Sequence, residues 1–193
     1  EDAVQVLYER MRSDGSDIVV GKHTDVYEDG TTNGAFCSWM KDAVLSNKEV
    51  FAKLGEKNYI AVVSWGKMYR RTIFDGILYP ALKCGEDLWN YPLIVDRCKT
   101  ISVVDQTLYF YFQRSDSILH EKSEQSKRDD LNAVLHLVQF LWLRNFEKSA
   151  LRWYAIAIDK ALSLKNKREG LTIFKEYFPP VERRKLLKGQ RIK

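Results

Sequence analysis

The stretch from residue 85 to residue 118 places the strongest limits on what this chain can fold into. It begins with Gly-Glu-Asp, continues through the apolar run LWNYPLIVDRC and the strand-like run TISVVDQTLYFYF, and ends in QRSDSI. Negative charge is favoured in the first turn of a helix, where the exposed N–H groups and the helix dipole are positive. The order predicts a helix that starts with an acid pair, then a strand, then a polar segment. Such a scaffold suits a carboxylate held rigidly beside a polar ligand.

Upstream of this stretch, helix and strand signals alternate. Apolar residues at helical spacing predict a helix over residues 2–12, with Gly15 just past its end. β-rich runs predict strands near 17–21 and 24–28, and an Asp-Gly turn signal follows them. This part of the chain is therefore expected to contain a sheet.

Two further segments carry mixed signals. Helical turns are predicted through residues 39–54, with Ser38 or Ser46 as the starting residue. The helix over 86–98 contains Pro92, which should end or kink it, because proline lacks the N–H donor and clashes with the preceding turn.

From Ser123 onward the pattern is helical throughout. Residues 129–145 and 149–164 are long, apolar and free of Gly and Pro, and a third helix is predicted from 169 to 177, before a Pro-Pro pair. The predicted fold class is α/β, with a mixed-sheet, Rossmann-like region followed by a helical C-terminal region. We place the boundary between residues 119 and 120.

Charge and composition limit the function classes. The chain has 193 residues, 45% hydrophobic content and a net charge of +5, which is enough apolar material for a sizeable core. Residues 180–193 hold six basic residues and one acidic residue, so the tail alone accounts for the excess charge. A nucleic-acid-binding face should instead spread Lys and Arg among aromatic residues along a groove, so no nucleic acid is expected as a partner.

Hydropathy and the basic tail suggest a location for the chain, and the cysteine spacing bears on disulfides and zinc binding. No apolar run is long enough to span a bilayer and no signal-peptide layout is present, so a cytoplasmic location is expected. The basic residues 183–193 fit either a peripheral contact with the anionic inner face of a membrane or a solvated helix end. Cys37, Cys84 and Cys98 are too widely spaced to indicate a disulfide framework or a zinc site.

Three segments in one order resemble a known family. WGKMYRRTIF, residues 65–74, looks like the pattern W-x-K-x-Y-[KR]-[KR]-x-x-[FL], and SDIVVGKHTDVYEDG, residues 16–30, lies where an "ADIV" strand is usual. With the stretch over residues 85–118, they resemble the acceptor-side half of family 2 glycosyltransferases, which are inverting enzymes of the GT-A class. The resemblance covers roughly residues 1–119.

The resemblance also implies what this chain lacks. In that family the nucleotide-binding half, with its Asp-x-Asp metal motif, precedes this region, and the opening EDAVQVLYERM looks like the helix that follows the motif. The chain begins without Met, so we expect an excised or trimmed piece that is inactive alone. The whole enzyme would use a nucleotide-diphosphate sugar and Mg²⁺ or Mn²⁺, with the main metal ligands upstream.

The acid pair is the candidate catalytic group. An inverting transfer needs a general base that takes the proton of the acceptor hydroxyl, and a partly desolvated carboxylate at the end of a rigid element suits that task. The resemblance gives this role to Asp87, with Glu86 orienting it or binding the acceptor. On the residues alone, the alternative is a pair of carboxylates that only cap a helix.

Two residues of the first matching segment are candidate binding groups. Trp65 and Lys67 lie where related enzymes shape the acceptor pocket or the approach of the diphosphate. An aromatic face suits a sugar ring, and a Lys suits negative charge. The alternative is a core Trp beside a surface Lys.

The polar segment after the predicted strand supplies the remaining candidates. By resemblance, Gln113, Arg114 and Ser117 would contact the acceptor or the diphosphate. The Arg114 guanidinium can pair with a pyrophosphate, hold the acid pair or form a structural salt bridge. His120 is a weaker candidate for a metal ligand.

The resemblance implies a glycosyltransferase that moves a sugar to a glycan or lipid-linked acceptor with inversion, in bacterial cell-envelope or exopolysaccharide synthesis. The alternative is a non-catalytic, glycosyltransferase-like module that binds an acceptor or a partner protein. The two differ in whether turnover appears once the donor half is present.

Overall fold

The computed structural model describes residues 2–33, 41–56, 60–114 and 123–178. The chain divides into two compact units. The sheet unit comprises Glu1–Leu78 and Leu93–Glu121, and the helical unit comprises Tyr79–Pro92 and Lys122–Lys193. The segment that carries the acid pair thus groups with the C-terminal helices, and the boundary after residue 119 stays a prediction.

The sheet unit contains the five described strands, the first two α-helices and a 3₁₀ helix. In chain order they are α1 (Ala3–Asp14), β1 (Ile18–Tyr27), β2 (Thr32–Asn33), β3 (Ala43–Ser46), α2 (Asn47–Lys53), β4 (Lys67–Tyr69) and a 3₁₀ helix (Arg71–Phe74). The helix α3 (Glu86–Asp96) follows, beginning in the helical unit and ending in the sheet unit, and β5 (Thr100–Gln113) completes the sheet.

The sheet is mixed. Its order is β2-β1-β5-β3, and β4 also pairs with β1. The two long central strands, β1 and β5, are parallel, whereas the three short strands pair antiparallel. Carboxyl ends of parallel strands form an edge at which ligands commonly bind in α/β folds. The last residues of β1 and β5 therefore share one edge.

The core of the sheet unit lies between α1 and the central strands. Leu7 and Met11 of α1 pack with Val19 of β1 and Val104 of β5. Gly15 ends α1 in the left-handed conformation, at φ 66°, which glycine adopts without a Cβ clash. The predicted first helix is confirmed.

Some predicted boundaries were wrong. The two predicted strands over residues 17–28 form one strand, β1, with register shifts near its middle instead of a break. Within the predicted helical stretch 39–54, residues 43–46 form β3, and α2 begins after Ser46, the later of the two predicted starts. Ser46 and Glu49 form a capping box, a side-chain arrangement that fixes the helix start locally.

Pro92 neither ends nor shortens α3, which continues to Asp96. A proline removes one helical donor, but Pro92 is buried, as are its neighbours Tyr91 and Ile94. Burial of these side chains offsets the missing hydrogen bond. The expected break was therefore overridden by packing.

The helical unit contains three long helices, α4 (Glu124–Leu143), α5 (Glu147–Ser163) and α6 (Lys167–Tyr177). α4 starts earlier than predicted because the Ser123 hydroxyl accepts the N–H of Ser126. Seven apolar residues of α4 have no exposed surface: Leu131, Ala133, Val134, Leu135, Leu137, Val138 and Leu141. The predicted fold class, a mixed α/β region followed by a helical region, is confirmed.

None of the helices in the described ranges is long and apolar enough to cross a membrane. Burial raises the pKa of Cys98 to about 12, with a smaller contribution from Asp17. This thiol therefore remains protonated at neutral pH and serves as a core side chain.

Candidate functional site

Aromatic rings cover one face of the sheet near the ends of β1 and β5. The Trp65 indole stacks on Tyr109 at 4.6 Å between ring centroids and on Tyr111 at 4.9 Å, with interplanar angles of 20° and 13°. His23 meets the indole edge-on at 4.8 Å. We call Trp65, Tyr109, Tyr111 and His23 the aromatic cluster.

The loop that carries Trp65 is fixed by the residues that follow it. The Lys67 ammonium donates to the carbonyl of Val63 and, at 3.5 Å, to that of Trp65. The Tyr69 hydroxyl donates to the carbonyl of Ser64 at 3.1 Å. Both side chains therefore bond to the backbone beside the indole and hold it in place.

A glycine completes this loop. Gly66 has a φ of 69°, in the left-handed region that favours glycine. Its carbonyl accepts the N–H of Gly21 on β1 at 3.1 Å. A Cβ on Gly21 would meet the Leu108 side chain at 2.9 Å, so the strands β1 and β5 also need glycine there.

Downstream, Arg70 ties the segment to the start of β1. Its Nε donates to the carbonyl of Ser16 at 2.8 Å, and Asp17 lies 3.9 Å away. The spacing W-x-K-x-Y-R is thus explained by contacts of the segment with itself and with β1.

Two polar residues of β1 are buried: His23, which belongs to the aromatic cluster, and Asp25, two residues further along the strand. His23 is 8% exposed and Asp25 is 7% exposed. In the parallel register His23 lies opposite Tyr109 and Asp25 lies opposite Tyr111, so all four side chains share one face of the sheet.

Burial and the neighbouring charges shift the pKa of His23 in opposite directions. Burial lowers the pKa of His23 below its ordinary value, Asp25 raises it and the Lys67 ammonium lowers it. The net direction is downward, so the imidazole is held in its neutral form at neutral pH.

Gln113 and Arg114 lie at the carboxyl end of β5, beside the carboxyl end of the parallel strand β1. Gln113 ends β5, opposite Tyr27, and is half-buried, whereas Arg114 is exposed. Gln113 follows Tyr111 by two residues and therefore shares its face of the sheet. Ser117 and His120 lie outside the described residues.

The acid pair occupies the first turn of α3, as predicted, and both carboxylates are half-buried. Gly85, just before it, has a φ of 88°. A Cβ there would lie 2.9 Å from the Cβ of Ala133 and 3.4 Å from the Cα of Asp130, both on α4. Only glycine therefore lets α3 start so close to α4.

Side-chain contacts fix the same turn. The N–H of Lys83 donates to the buried Asp129 carboxylate at 2.9 Å, and Gln125 donates to it at 2.8 Å. One turn into α3, Trp89 stacks on His136 of α4, with centroids 4.2 Å apart and planes 7° apart. Glu86 and Asp87 are consequently presented by a rigid, packed helix start.

Asn90 follows Glu86 by four residues and Asp87 by three, so it lies on the same side of α3. It has no exposed surface, and among the described residues neither its amide oxygen nor its amide nitrogen has a hydrogen-bond partner. Buried side-chain amides are nearly always hydrogen-bonded, so Asn90 is an exception. The apolar sequence around it gave no sign of an unpaired amide at this position.

The structure brings Trp65 and Lys67 together and places Gln113 on the face of β5 that carries Tyr111. These residues and Arg114 belong to the sheet unit, whereas Glu86 and Asp87 belong to the helical unit.

A metal ion would need several carboxylate or imidazole ligands in one place. In the part of the chain that the structure describes, no group of three or more His, Cys, Asp and Glu side chains lies together in a way that could hold one. These residues do not form a metal site by themselves. The predicted Mg²⁺ or Mn²⁺ stays a prediction.

Sequence reasoning missed Asp25, His23, Tyr109 and Tyr111. The alternation Tyr-Phe-Tyr-Phe over residues 109–112 of β5 and the polar residues His23 and Asp25 of β1, two positions apart, are local signals that could have pointed to them. What the sequence lacks is the register between the strands, which decides that the tyrosines face the polar residues.

Comparisons with known proteins found a likeness in sequence and a likeness in fold. No protein-family model matches the chain. The glycosyltransferase GlyA of Streptococcus pneumoniae serotype 4 is 24% identical over 127 residues, which cover 61% of this chain and 18% of GlyA. Residues 1–349 of S. aureus TarS, solved in complex with UDP-GlcNAc, match with a TM-score of 0.58 and 16% identity, over 91% of this chain and 51% of the TarS chain.

This chain is similar in fold to TarS. It spans about half the length of the TarS structure and less than a fifth of GlyA.

Proposed function

We propose that this chain is the acceptor-side part of an inverting, GT-A-type glycosyltransferase of family 2. The observation that carries the proposal is the likeness of fold to TarS over 91% of the chain. The sequence likeness to GlyA supports the same class of enzyme. The donor is a nucleotide-diphosphate sugar, and the acceptor is a hydroxyl of a glycan or lipid-linked molecule in bacterial cell-envelope or exopolysaccharide synthesis.

Asp87 is the general base of this proposal. As the acceptor oxygen attacks the anomeric carbon, its proton passes to the Asp87 carboxylate, and the bond between that carbon and the diphosphate oxygen breaks with its electrons leaving on the diphosphate. The helix start limits the motion of the carboxylate, because Gly85 packs on α4. Glu86, its neighbour, orients Asp87 or binds the acceptor.

The leaving diphosphate needs positive charge. Arg114 follows β5 at the carboxyl edge of the parallel strands, where a guanidinium can make two parallel hydrogen bonds to a phosphate group. A bound Mg²⁺ or Mn²⁺ would neutralise part of the same charge. Ser117, His120 and the membrane contact of residues 183–193 remain parts of the proposal that lie outside the described residues.

The test is transfer from a panel of nucleotide sugars, with and without Mg²⁺ or Mn²⁺, using both this 193-residue chain and the protein that the complete gene encodes. Turnover by the complete protein but not by this chain supports the proposal and identifies the donor sugar. Turnover by neither contradicts it.

A second candidate is a non-catalytic module that binds a saccharide or a partner protein. It is favoured by one observation, that the chain covers only 51% of the TarS chain. It predicts binding without turnover, even by the complete protein.

A further inference from the structure

One side of α6 combines exposed basic side chains with an exposed leucine. Lys167, Leu171 and Lys175 follow one another at intervals of four residues, so they form a row along the helix, and Arg168 lies beside the first of them. The three basic side chains are exposed, and Leu171 is 48% exposed. We call these four residues the basic stripe.

The acidic residues of α6 do not neutralise the basic stripe. Glu169 and Glu176 are seven residues apart and therefore share another side of the helix. The Glu169 carboxylate is bound by Arg128 of α4, whose Nε and Nη2 donate to it at 2.5 and 3.3 Å. The basic stripe therefore presents a positive surface.

Two of the cations oppose the local preference of a helix. Lys167 and Arg168 are the first two residues of α6, where the helix dipole and the free N–H groups disfavour positive charge. The Asn166 side chain already caps this end by accepting the N–H groups of Arg168 and Glu169, at 3.1 and 3.3 Å. These cations therefore do not help the helix to form, and a break of a local rule is expected where a function requires it.

Close packing fixes α6 on the helical unit. A Cβ on Gly170 would collide with the carbonyl oxygen of Ala161, so only glycine lets α6 cross α5 at this distance. The residue after Ala161, Leu162, is 47% exposed, and the residue after Gly170 is Leu171 of the basic stripe. Each helix thus exposes a leucine directly after the crossing.

The charge of the chain is concentrated in the same region. Residues 165–193 hold 10 of the 31 basic residues and 3 of the 26 acidic residues. The first 164 residues therefore carry slightly more acidic than basic side chains. The segment that contains α6 and continues to the chain end is the part that attracts an anionic partner.

The exposed leucines distinguish a lipid surface from a soluble anion. A soluble phosphate or a nucleic acid is attracted by the cations alone. An anionic bilayer attracts the cations with its headgroups and also takes up an apolar side chain at the boundary of its acyl region. Long Lys side chains on both sides of a leucine keep their charged ends at the level of the headgroups.

We propose that the basic stripe of α6 docks on the surface of an anionic lipid bilayer, with Leu171 inserted between headgroups and the three cations against lipid phosphates. α6 lies along the surface, because its 11 residues are too few to cross a bilayer. This surface goes beyond the proposed function, which places a membrane contact in residues 183–193 alone.

The experiment is co-sedimentation of the 193-residue chain with vesicles. One set contains phosphatidylglycerol and phosphatidylcholine in equal parts, and the other contains phosphatidylcholine alone. The test variants are Lys167→Gln combined with Arg168→Gln, and Leu171→Ser alone. A double-stranded DNA fragment serves as the soluble polyanion.

Each test variant has a matched control at exposed positions elsewhere. Lys48→Gln combined with Lys148→Gln removes two positive charges from α2 and α5. Leu143→Ser removes a leucine that is 67% exposed on α4.

We expect the unchanged chain to sediment with the anionic vesicles and not with the neutral ones. The double variant in the basic stripe should bind about 10- to 30-fold more weakly, since each cation near an anionic leaflet strengthens binding by about fivefold. Leu171→Ser should bind about three- to tenfold more weakly, because less apolar surface is buried. Both controls should stay within about twofold of the unchanged chain.

Thermal melting followed by circular dichroism separates lost binding from lost structure. The double variant in the basic stripe should melt at the same temperature as the unchanged chain or higher, because two cations are removed from the positive end of a helix.

Three results would overturn the docking surface. Equal weakening by the two double variants would show that net charge alone attracts the chain to vesicles. Failure of the folded, unchanged chain to sediment with anionic vesicles would remove the membrane as the partner. DNA binding that depends on Lys167 and Arg168, together with unchanged vesicle binding by Leu171→Ser, would identify a soluble polyanion instead. Each of these results leaves glycosyl transfer by the complete protein to be tested separately.

Discussion

The loop at Trp65 and the start of α3 each hold a candidate functional group, but different interactions fix them. The loop is held by the side chains of Lys67 and Tyr69, which lie within four residues of Trp65. The start of α3 is held by Gly85 against Ala133, a residue almost fifty positions away. A motif read along the sequence can therefore explain the loop, but only the fold explains why the acid pair needs a glycine before it.

The largest effect should come from breaking the close approach of α3 and α4. Gly85→Ala should lower the free energy of unfolding by about 2–4 kcal/mol, because it adds both a left-handed Cβ and a clash with Ala133. Urea unfolding followed by circular dichroism measures it.

Gly76→Ala is the matched control for that variant. Gly76 also has a positive φ, 72°, but nothing lies within 4 Å of a Cβ there, so about 1–2 kcal/mol is expected. Equal losses in the two variants would contradict the packing account of the helix start.

A smaller effect should follow from removing the brace of the loop. Lys67→Met should lower the free energy of unfolding by about 1–3 kcal/mol, because two carbonyls lose a charged donor. It should also raise the pKa of His23, which the Lys67 ammonium lowers. Urea unfolding and NMR titration of the imidazole check the two effects.

Lys175→Met, at an exposed position on α6, is the control for charge alone. If Lys67→Met and Lys175→Met gave the same stability and the same pKa of His23, the ammonium would not brace the loop.

Tyr69→Phe removes one hydroxyl from the same loop. We expect a loss of about 1 kcal/mol, the usual worth of a neutral hydrogen bond. Near-UV circular dichroism of the stacked Trp65 should weaken as well. Tyr8→Phe, at a residue 52% exposed, should change neither quantity, and an equal change there would contradict the role of the Tyr69 hydroxyl.

The smallest expected effect lies in the helical unit and concerns how the free energy of unfolding depends on pH. Burial lowers the pKa of His136 below the ordinary value of 6.5, so below pH 6.5 the unfolded chain binds more protons than the folded one. Stability should therefore fall as the pH drops from 6.5 through the lowered pKa. His136→Gln should reduce that slope and leave the slope above pH 6.5 unchanged, and an unaltered slope would contradict it.

Much of the fold could be predicted from local patterns. The α1 helix, the three C-terminal helices and the strand β5 followed from periodicity and from breakers such as Gly15, because their signals lie within the elements themselves. The helix through Pro92 and the strand β3 could not be predicted, since burial and sheet pairing outweighed the local preference.

The candidate site, like the fold, could be predicted only where the signal lies within one element. The acid pair at a helix start was predictable, because charge at a helix N-terminus is a local signal. The partners of Trp65 were not, because the stacking on Tyr109 and Tyr111 and the position of Asp25 depend on the register between β1 and β5.

We propose Asp87, in the acid pair at the start of α3, as the general base of a glycosyl transfer. The most direct measurement is glycosyl transfer by the complete protein with Asp87→Asn, beside the control Asp159→Asn at an exposed position of α5. We predict that Asp87→Asn lowers turnover by about 100-fold or more and leaves donor binding nearly unchanged, and that the control variant does not lower turnover. Near-normal turnover by Asp87→Asn would contradict it.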